Sequence, residues 1–247
     1  MNRLALFDCD GTLVDSQDNI CRSVEHAFAG ASLTPPDRSA IRRIVGLSLV
    51  EAMQQLLPEG EDALHQSLAA DYKAAFFKMR TAGAMAEEPL YAGIVDVLDL
   101  LRADGWHLGV ATGKSDRGLA HILAHHGIAD RFITLQTADR HPSKPHPSMI
   151  ETAMADSGAT PETTVMIGDT SYDMLMARAA RARALGVAWD YHPVDDPTPA
   201  GAHAIPSTGE ALPPLVTLQE TPPRPIPIRP FAIALFPPPP RRPPGPP

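Results

Sequence analysis

Between residues 90 and 190, short apolar runs alternate with amphipathic stretches, and this alternation constrains the fold more than any other feature of the chain. The runs at 107–111, 132–135, 164–167 and 184–188 read as strands. Residues 94–101, 115–126, 147–157 and 171–180 carry helical spacing. Ile94, Val97, Leu98 and Leu101 form one helix face, and Gly105 supplies a stop. Pro147 suits the first position of the following helix. Strand, helix, strand in that order means βαβ units, and therefore a parallel sheet with helices on both faces. One more apolar run, at residues 4–7, adds a strand near the start. The expected fold is α/β, a doubly wound, Rossmann-like parallel sheet.

Residues 17–82 break the pattern, because they show helical spacing only. Leu64, Leu68, Tyr72, Ala75, Phe76 and Met79 recur on one face. Pro35-Pro36 and Pro58-Glu59-Gly60 cut the block into separate helices. A helical block of roughly 65 residues exceeds an ordinary α/β connection. It reads as an inserted all-α domain over the sheet edge. The expected division is a discontinuous core at 1–15 and 88–215, a helical insertion at 16–87, and a proline-rich tail at 216–247. Thirteen of the 27 prolines fall between Pro222 and Pro247, so the tail is expected to be extended. Arg224, Pro227 and Pro230 fit a proline-rich ligand pattern, as many proline-rich strings do.

Composition narrows the functional classes. A chain of 247 residues is ample for one core and a small second domain. A net charge of −8 argues against nucleic acid as a partner. The two cysteines, Cys9 and Cys21, lack C-x-x-C spacing, which disfavours disulfide and zinc frameworks and suits a cytoplasmic setting. No run approaches the ~20 apolar residues of a membrane span. The opening run is too short for a signal peptide. The expectation is a cytoplasmic monomer or homodimer with no membrane partner.

Chemistry-bearing residues stand at four strand ends. The first group is Asp8-Cys9-Asp10-Gly11-Thr12, directly after residues 4–7. The second is Thr112-Gly113-Lys114, the third Ser143-Lys144-Pro145, and the fourth Gly168-Asp169-Thr170-Ser171-Tyr172-Asp173. Singly, each group is an ordinary turn or cap. Together they bring paired acids, a hydroxyl, a cation and two further acids to carboxyl strand ends, where open α/β sheets build their sites. Such a set suits phosphoryl transfer, whose charge must be spread over N–H groups, hydroxyls and cations. Thr112 and Gly113 would meet phosphate at a helix N-terminus. Lys144 supplies the cation. Asp8, Asp169 and the main-chain carbonyl of Asp10 are hard oxygen ligands that suit Mg2+. Of the paired acids, one can attack while the other carries protons.

These four motifs resemble those of the haloacid dehalogenase superfamily, over nearly all of residues 3–212. The helical insertion and Pro89-Leu90-Tyr91-Ala92-Gly93 resemble the phosphoglycolate phosphatase-like branch with its C1-type helical cap. The resemblance implies that Asp8 attacks phosphorus to form an aspartyl-phosphate. Asp10 would protonate the leaving oxygen and later accept a proton from water. Thr112, Gly113 and Lys144 would bind phosphate, and Asp8, Asp10 and Asp169 would hold Mg2+. Thr12 and Asp173 would stand behind these residues, Asp173 orienting Lys144 or a metal-bound water. A second acid is unnecessary when halide leaves, so Asp10 favours a phosphatase over a dehalogenase. The expected activity is hydrolysis of a small organic phosphate ester. The rivals are a phosphomutase, a pyrophosphatase, or a non-catalytic binding protein that recruits a partner through the tail.

Arg181 and Asp190 depart from that branch, and Pro197, Pro199 and Pro206 are unusual late in its final core segment. Arg181 stands where glycine usually ends the fourth-motif helix, and Asp190 where glycine is common. Cys9 reads as a buried spacer. His121, His125 and His126 read as a solvated helix face, and His141 and His146 as neighbours of Lys144 without a role. Arg42, Arg43, Lys78 and Arg80 default to the surface, the distal end of the substrate being their other placement.

Overall fold

A computed structural model describes residues 1–187. Asp190, the late prolines, the last part of the expected core and the tail all lie outside the described residues.

Five strands form one parallel sheet: β1 (Asn2–Phe7), β2 (Trp106–Thr112), β3 (Thr134–Thr137), β4 (Ala159–Gly168) and β5 (Arg183–Gly186). Their order is β3-β2-β1-β4-β5, so β1 is central and the chain reverses its winding direction on either side of it. Phe7 pairs with Val110 of β2 and with Ile167 of β4. That register brings the carboxyl ends of the three central strands to one edge.

Alternation along β1 sorts its side chains onto two faces. Ala5 and Phe7 join an apolar cluster with α5 (Ile94–Ala103) and α6 (Asp116–His125). Leu4 and Leu6 join a second cluster with α7 (Ser148–Ser157) and α8 (Ser171–Ala179). All four residues are fully buried, as a parallel strand covered on both faces requires.

Four helices fill the interruption: α1 (Gln17–Gly30), α2 (Arg38–Arg43), α3 (Leu49–Leu56) and α4 (Asp62–Thr81). They enclose an apolar cluster of their own, including Val24, Phe28, Ile41, Met53 and Leu68. The two connections to the sheet run side by side. Asp15 N–H donates to Pro89 O at 2.9 Å, and Tyr91 N–H to Leu13 O at 3.1 Å.

Some boundaries differ from the sequence reading, for identifiable reasons. Strand β3 starts at Thr134, because residues 129–131 close a short 3-10 turn first. Strand β4 extends back through Pro161. Its pairing with β1 is irregular between Asn2 and Leu4, and such a break tolerates a residue without an N–H. Pro147 caps α7 rather than opening it. Arg181 does take the left-handed conformation usual for glycine, with φ 58°.

Candidate active site

Beyond β1 the chain folds tightly on itself: Leu13 and Val14 N–H both donate to Cys9 O, at 2.9 and 3.0 Å. The turn sets Asp8 and Asp10 at the strand end and buries both. Gly11 has φ 84°, and a Cβ there would lie 2.2 Å from Asp169 Oδ2, so only glycine lets the two loops approach this closely.

Lys144, carried by the loop between β3 and α7, reaches under the acids with its side chain fully enclosed. Its Nζ lies 2.9 Å from Asp8 Oδ1 and 2.7 Å from Asp173 Oδ1. The Cys9 N–H also donates to Asp8 Oδ1, at 2.7 Å. Asp8 Oδ2, by contrast, is buried with no hydrogen-bond partner. The two oxygens of one carboxylate are thus unlike: one is held twice and the other is free.

Asp169 accepts from Thr12 Oγ1 at 2.9 Å through Oδ1. Asp173 is spoken for on both oxygens. Lys144 takes Oδ1, while the Thr170 N–H and hydroxyl donate to Oδ2 at 3.1 and 2.8 Å. The Thr170 N–H contact forms a capping box that opens α8, in which the Asp173 N–H donates back to Thr170 Oγ1 at 3.4 Å. Carboxylate oxygens of Asp8, Asp169 and Asp173 lie within 4.8 Å of one another.

Three buried carboxylates therefore face one buried ammonium. Burial pushes the Asp8 carboxyl up to about 7, with Lys144 opposing and Asp173 and Asp10 adding to the rise. Asp169 is pushed well above the usual range by burial first and then by Asp8 and Asp173. Burial acts against the charge on Lys144, but Asp173 and Asp8 outweigh it and hold the ammonium firmly protonated. Charge balance leaves room for about two more positive charges, which a divalent cation supplies. With Asp173 occupied, Asp8 Oδ2 and Asp169 are the side-chain oxygens left to face it. The Asp10 carboxylate stands outside this cluster.

The Asp10 side chain has different partners. Lys114 Nζ lies 2.7 Å from Asp10 Oδ1, and the Ser16 hydroxyl donates to the same oxygen. Sequence reasoning placed Lys114 in the second motif without giving it a role, and passed over Ser16. One signal pointed to Lys114, namely its place directly after Thr112-Gly113 at a strand end. Thr112 is fully buried, and its Oγ1 accepts from the Lys114 N–H at 3.3 Å. Ser115 then caps α6, accepting from Gly118 N–H at 3.1 Å.

The helical segment touches the site through residues 46–48. A Cβ on Gly113 would lie 2.5 Å from Leu47 O and 2.6 Å from Gly46 O. Ser48 N–H donates to Ser143 Oγ at 2.9 Å. The backbone of this loop is seated directly over the Thr112–Gly113 turn.

Other candidates fall outside the site. Cys9 is buried and its thiol is pushed well above the usual range by burial and by Asp10, so it is no nucleophile. His141 is taken on both ring nitrogens, by Ser148 Oγ at 2.8 Å and Gln136 Oε1 at 2.7 Å. His121, His125 and His126 stack on one another, and His126 contacts the Glu88 carbonyl.

The sequence profile of the haloacid dehalogenase-like hydrolases matches residues 5–187. The chain belongs to that family. Among haloacid dehalogenase-like hydrolases, it is 37% identical over 200 residues to a Dickeya dadantii (strain 3937) protein named probable phosphatase IndB, covering 79% of this chain and 85% of that one. It is 28% identical over 203 residues to a phosphoglycolate phosphatase of Pseudomonas putida (strain KT2440), covering 80% and 75%. The crystal structure of a predicted phosphatase from Clostridium acetobutylicum superposes with a TM-score of 0.74 at 27% identity, covering 86% of this chain and 96% of that one. Within the family this chain is a phosphatase. Among the described residues, no helix is long and apolar enough to cross a membrane.

Proposed function

We propose that the chain hydrolyses a small organic phosphomonoester, with Mg2+ as its metal, through an aspartyl-phosphate on Asp8. The unequal oxygens of Asp8 carry this reading. Lys144 and the Cys9 N–H fix Oδ1, which orients the carboxylate, while Oδ2 has no internal partner and is kept for an external one. A buried acceptor without a partner is costly in a core, so such a group marks a place where something binds.

In this reading Asp8 attacks phosphorus as the ester bond to the alcohol oxygen breaks. Asp10, held by Lys114 and Ser16, gives its proton to the departing oxygen. The same carboxylate then takes a proton from water, whose oxygen attacks the phosphoryl group and frees Asp8. Thr112, the Gly113 N–H and Lys144 spread the phosphoryl charge. Asp173 fixes Lys144, and Thr12 fixes Asp169. Asp8, Asp169 and the Asp10 carbonyl would hold the cation, which would supply charge neutralisation between carboxylate and phosphate. Residues 16–87 serve as a cap over the core, a role that fits their separate apolar cluster.

Hydrolysis of p-nitrophenyl phosphate with Mg2+ tests the proposal. Wild type should turn over, and Asp8→Asn should fall to background while remaining folded. A wild-type protein inert toward a broad panel of phosphate esters would overturn it.

A further inference from the structure

A cavity of about 280 Å³ opens from the site, with Asp10, Gly113 and Lys114 at its inner end. That is near the lower end of the ~300–1,000 Å³ usual for small-molecule pockets. Aliphatic side chains of α1, α3 and the loop before α3 line one side. An aromatic row on α4, Tyr72, Phe76 and Phe77, lines the same cavity. The Tyr72 and Phe76 rings stack with centroids 6.0 Å apart. Phe77 is about half exposed, which is unusual for a ring that packing alone would place.

Cations finish the wall. The Arg80 guanidinium lies over Phe76 at 5.1 Å, and that of Arg117 over Phe77 at 5.1 Å. Lys73 lines the same cavity. None of these three is in an ion pair among the described residues. Glu88, whose field Arg80 feels, bonds to Asn19 Nδ2 at 3.1 Å and does not line the cavity. The one acid in the wall is Asp10, and Lys114 already answers it. From Tyr72 to Arg80 the helix advances two turns, roughly 12 Å. The wall therefore combines the Asp10 carboxylate, stacked rings and guanidinium groups that have no ion-pair partner among the described residues.

We infer that the alcohol released by this enzyme is a flat, aromatic body ending in a second anion, rather than a two-carbon acid. The inference rests on the hydrolysis reading and narrows its substrate class. A two-carbon hydroxy acid would leave the rings and the aliphatic lining without an apolar partner. A ring fits between the α4 aromatics and the aliphatic side, where offset stacking stabilises it. A carboxylate or second phosphate beyond the ring meets Arg80 and Arg117 in the fork geometry that guanidinium offers such groups.

Ethyl, benzyl and 4-carboxybenzyl phosphate form a test series, since all three release alcohols of similar acidity. For wild type with Mg2+, kcat/KM should rise about tenfold from ethyl to benzyl, and about tenfold again with the carboxylate. In Arg117→Ala and in Arg80→Ala the ratio of 4-carboxybenzyl to benzyl should fall toward one, and either variant suffices if the other fails to fold. Equal turnover of ethyl and benzyl phosphate, or a carboxylate preference that survives both substitutions, overturns the inference while hydrolysis stands. Absence of turnover on every ester, p-nitrophenyl phosphate included, overturns the hydrolysis reading and this inference with it.

Discussion

Lys114 Nζ lies 2.7 Å from Asp10 Oδ1, joining the turn after β2 to the turn after β1. Burial alone would lower the Lys114 ammonium, but Asp10, with Cys9 and Glu88 adding, outweighs burial and holds it charged. The pair fixes where the proposed proton carrier points. Lys114→Met should free that carboxylate to rotate and lower kcat by about 10²-fold, the low end of what general acid–base catalysis contributes. Steady-state kinetics against p-nitrophenyl phosphate check it, and an unchanged kcat would remove Lys114 from the mechanism.

Metal binding should depend on pH in a defined direction. Without metal, burial raises the Asp8 carboxyl to about 7 in the folded protein, against an ordinary value of 3.8. A group raised in this way favours the folded state at pH below 3.8. That contribution is lost as pH climbs through 7, because the unfolded chain ionises first. A divalent cation competes with the proton for the same oxygens. Millimolar Mg2+ should therefore raise Tm more at pH 8 than at pH 5.5, as differential scanning fluorimetry would read. An equal shift at both values would mean the cation binds elsewhere.

Gly113→Ala tests the seat of the loop at residues 46–47. The added methyl would press on two backbone carbonyls at 2.5 and 2.6 Å, and backbone cannot swing aside as a side chain can. The loop should be pushed off the phosphate turn, and kcat/KM should fall by about 10²-fold, the usual effect of misplacing reacting groups by an ångström. Chemical denaturation should show the fold intact. A variant as active as wild type would show that the contact has no part in turnover.

Arg181→Gly should stabilise the protein. Arg181 holds φ 58° after α8, where a side chain costs roughly 1 kcal/mol that glycine avoids. The added backbone freedom of glycine in the unfolded chain offsets part of this. A gain of about 0.5–1 kcal/mol should raise Tm by about 1–4 °C. A lower Tm would mean that the Arg181 side chain contributes more than its backbone strain costs.

The sheet, the order of its helices and the cluster of Asp8, Lys144, Asp169 and Asp173 were legible in advance. The three central strands carry short apolar runs, and each of those runs leads into a residue whose chemistry has no packing purpose. The Lys114–Asp10 pair was not legible. It depends on how two turns from different strands curl toward each other, and spacing along the chain does not record that. The extension of β4 past Pro161 was hidden for another reason, since proline argues against a strand unless the ladder is already broken there. Arg80 defaulted to the surface because a charged residue near a helix end usually belongs there. Only the fold shows it stacked on Phe76 in the wall of a cavity.

The central place of β1 has a consequence for how the protein is made. Asn2–Phe7 leaves the ribosome well ahead of its flanking partners, which arrive about 100 and 160 residues later. At ~5–20 residues per second, the second partner is complete roughly ten to thirty seconds after the first strand emerges. Until the first partner emerges, a run of four apolar residues, Leu4 to Phe7, has neither neighbour, and until the second it keeps one edge open. Pairings this distant in sequence also close slowly. The nascent chain should thus be most prone to sticking, and most in need of a chaperone, long before Asp8 has any partner to work with.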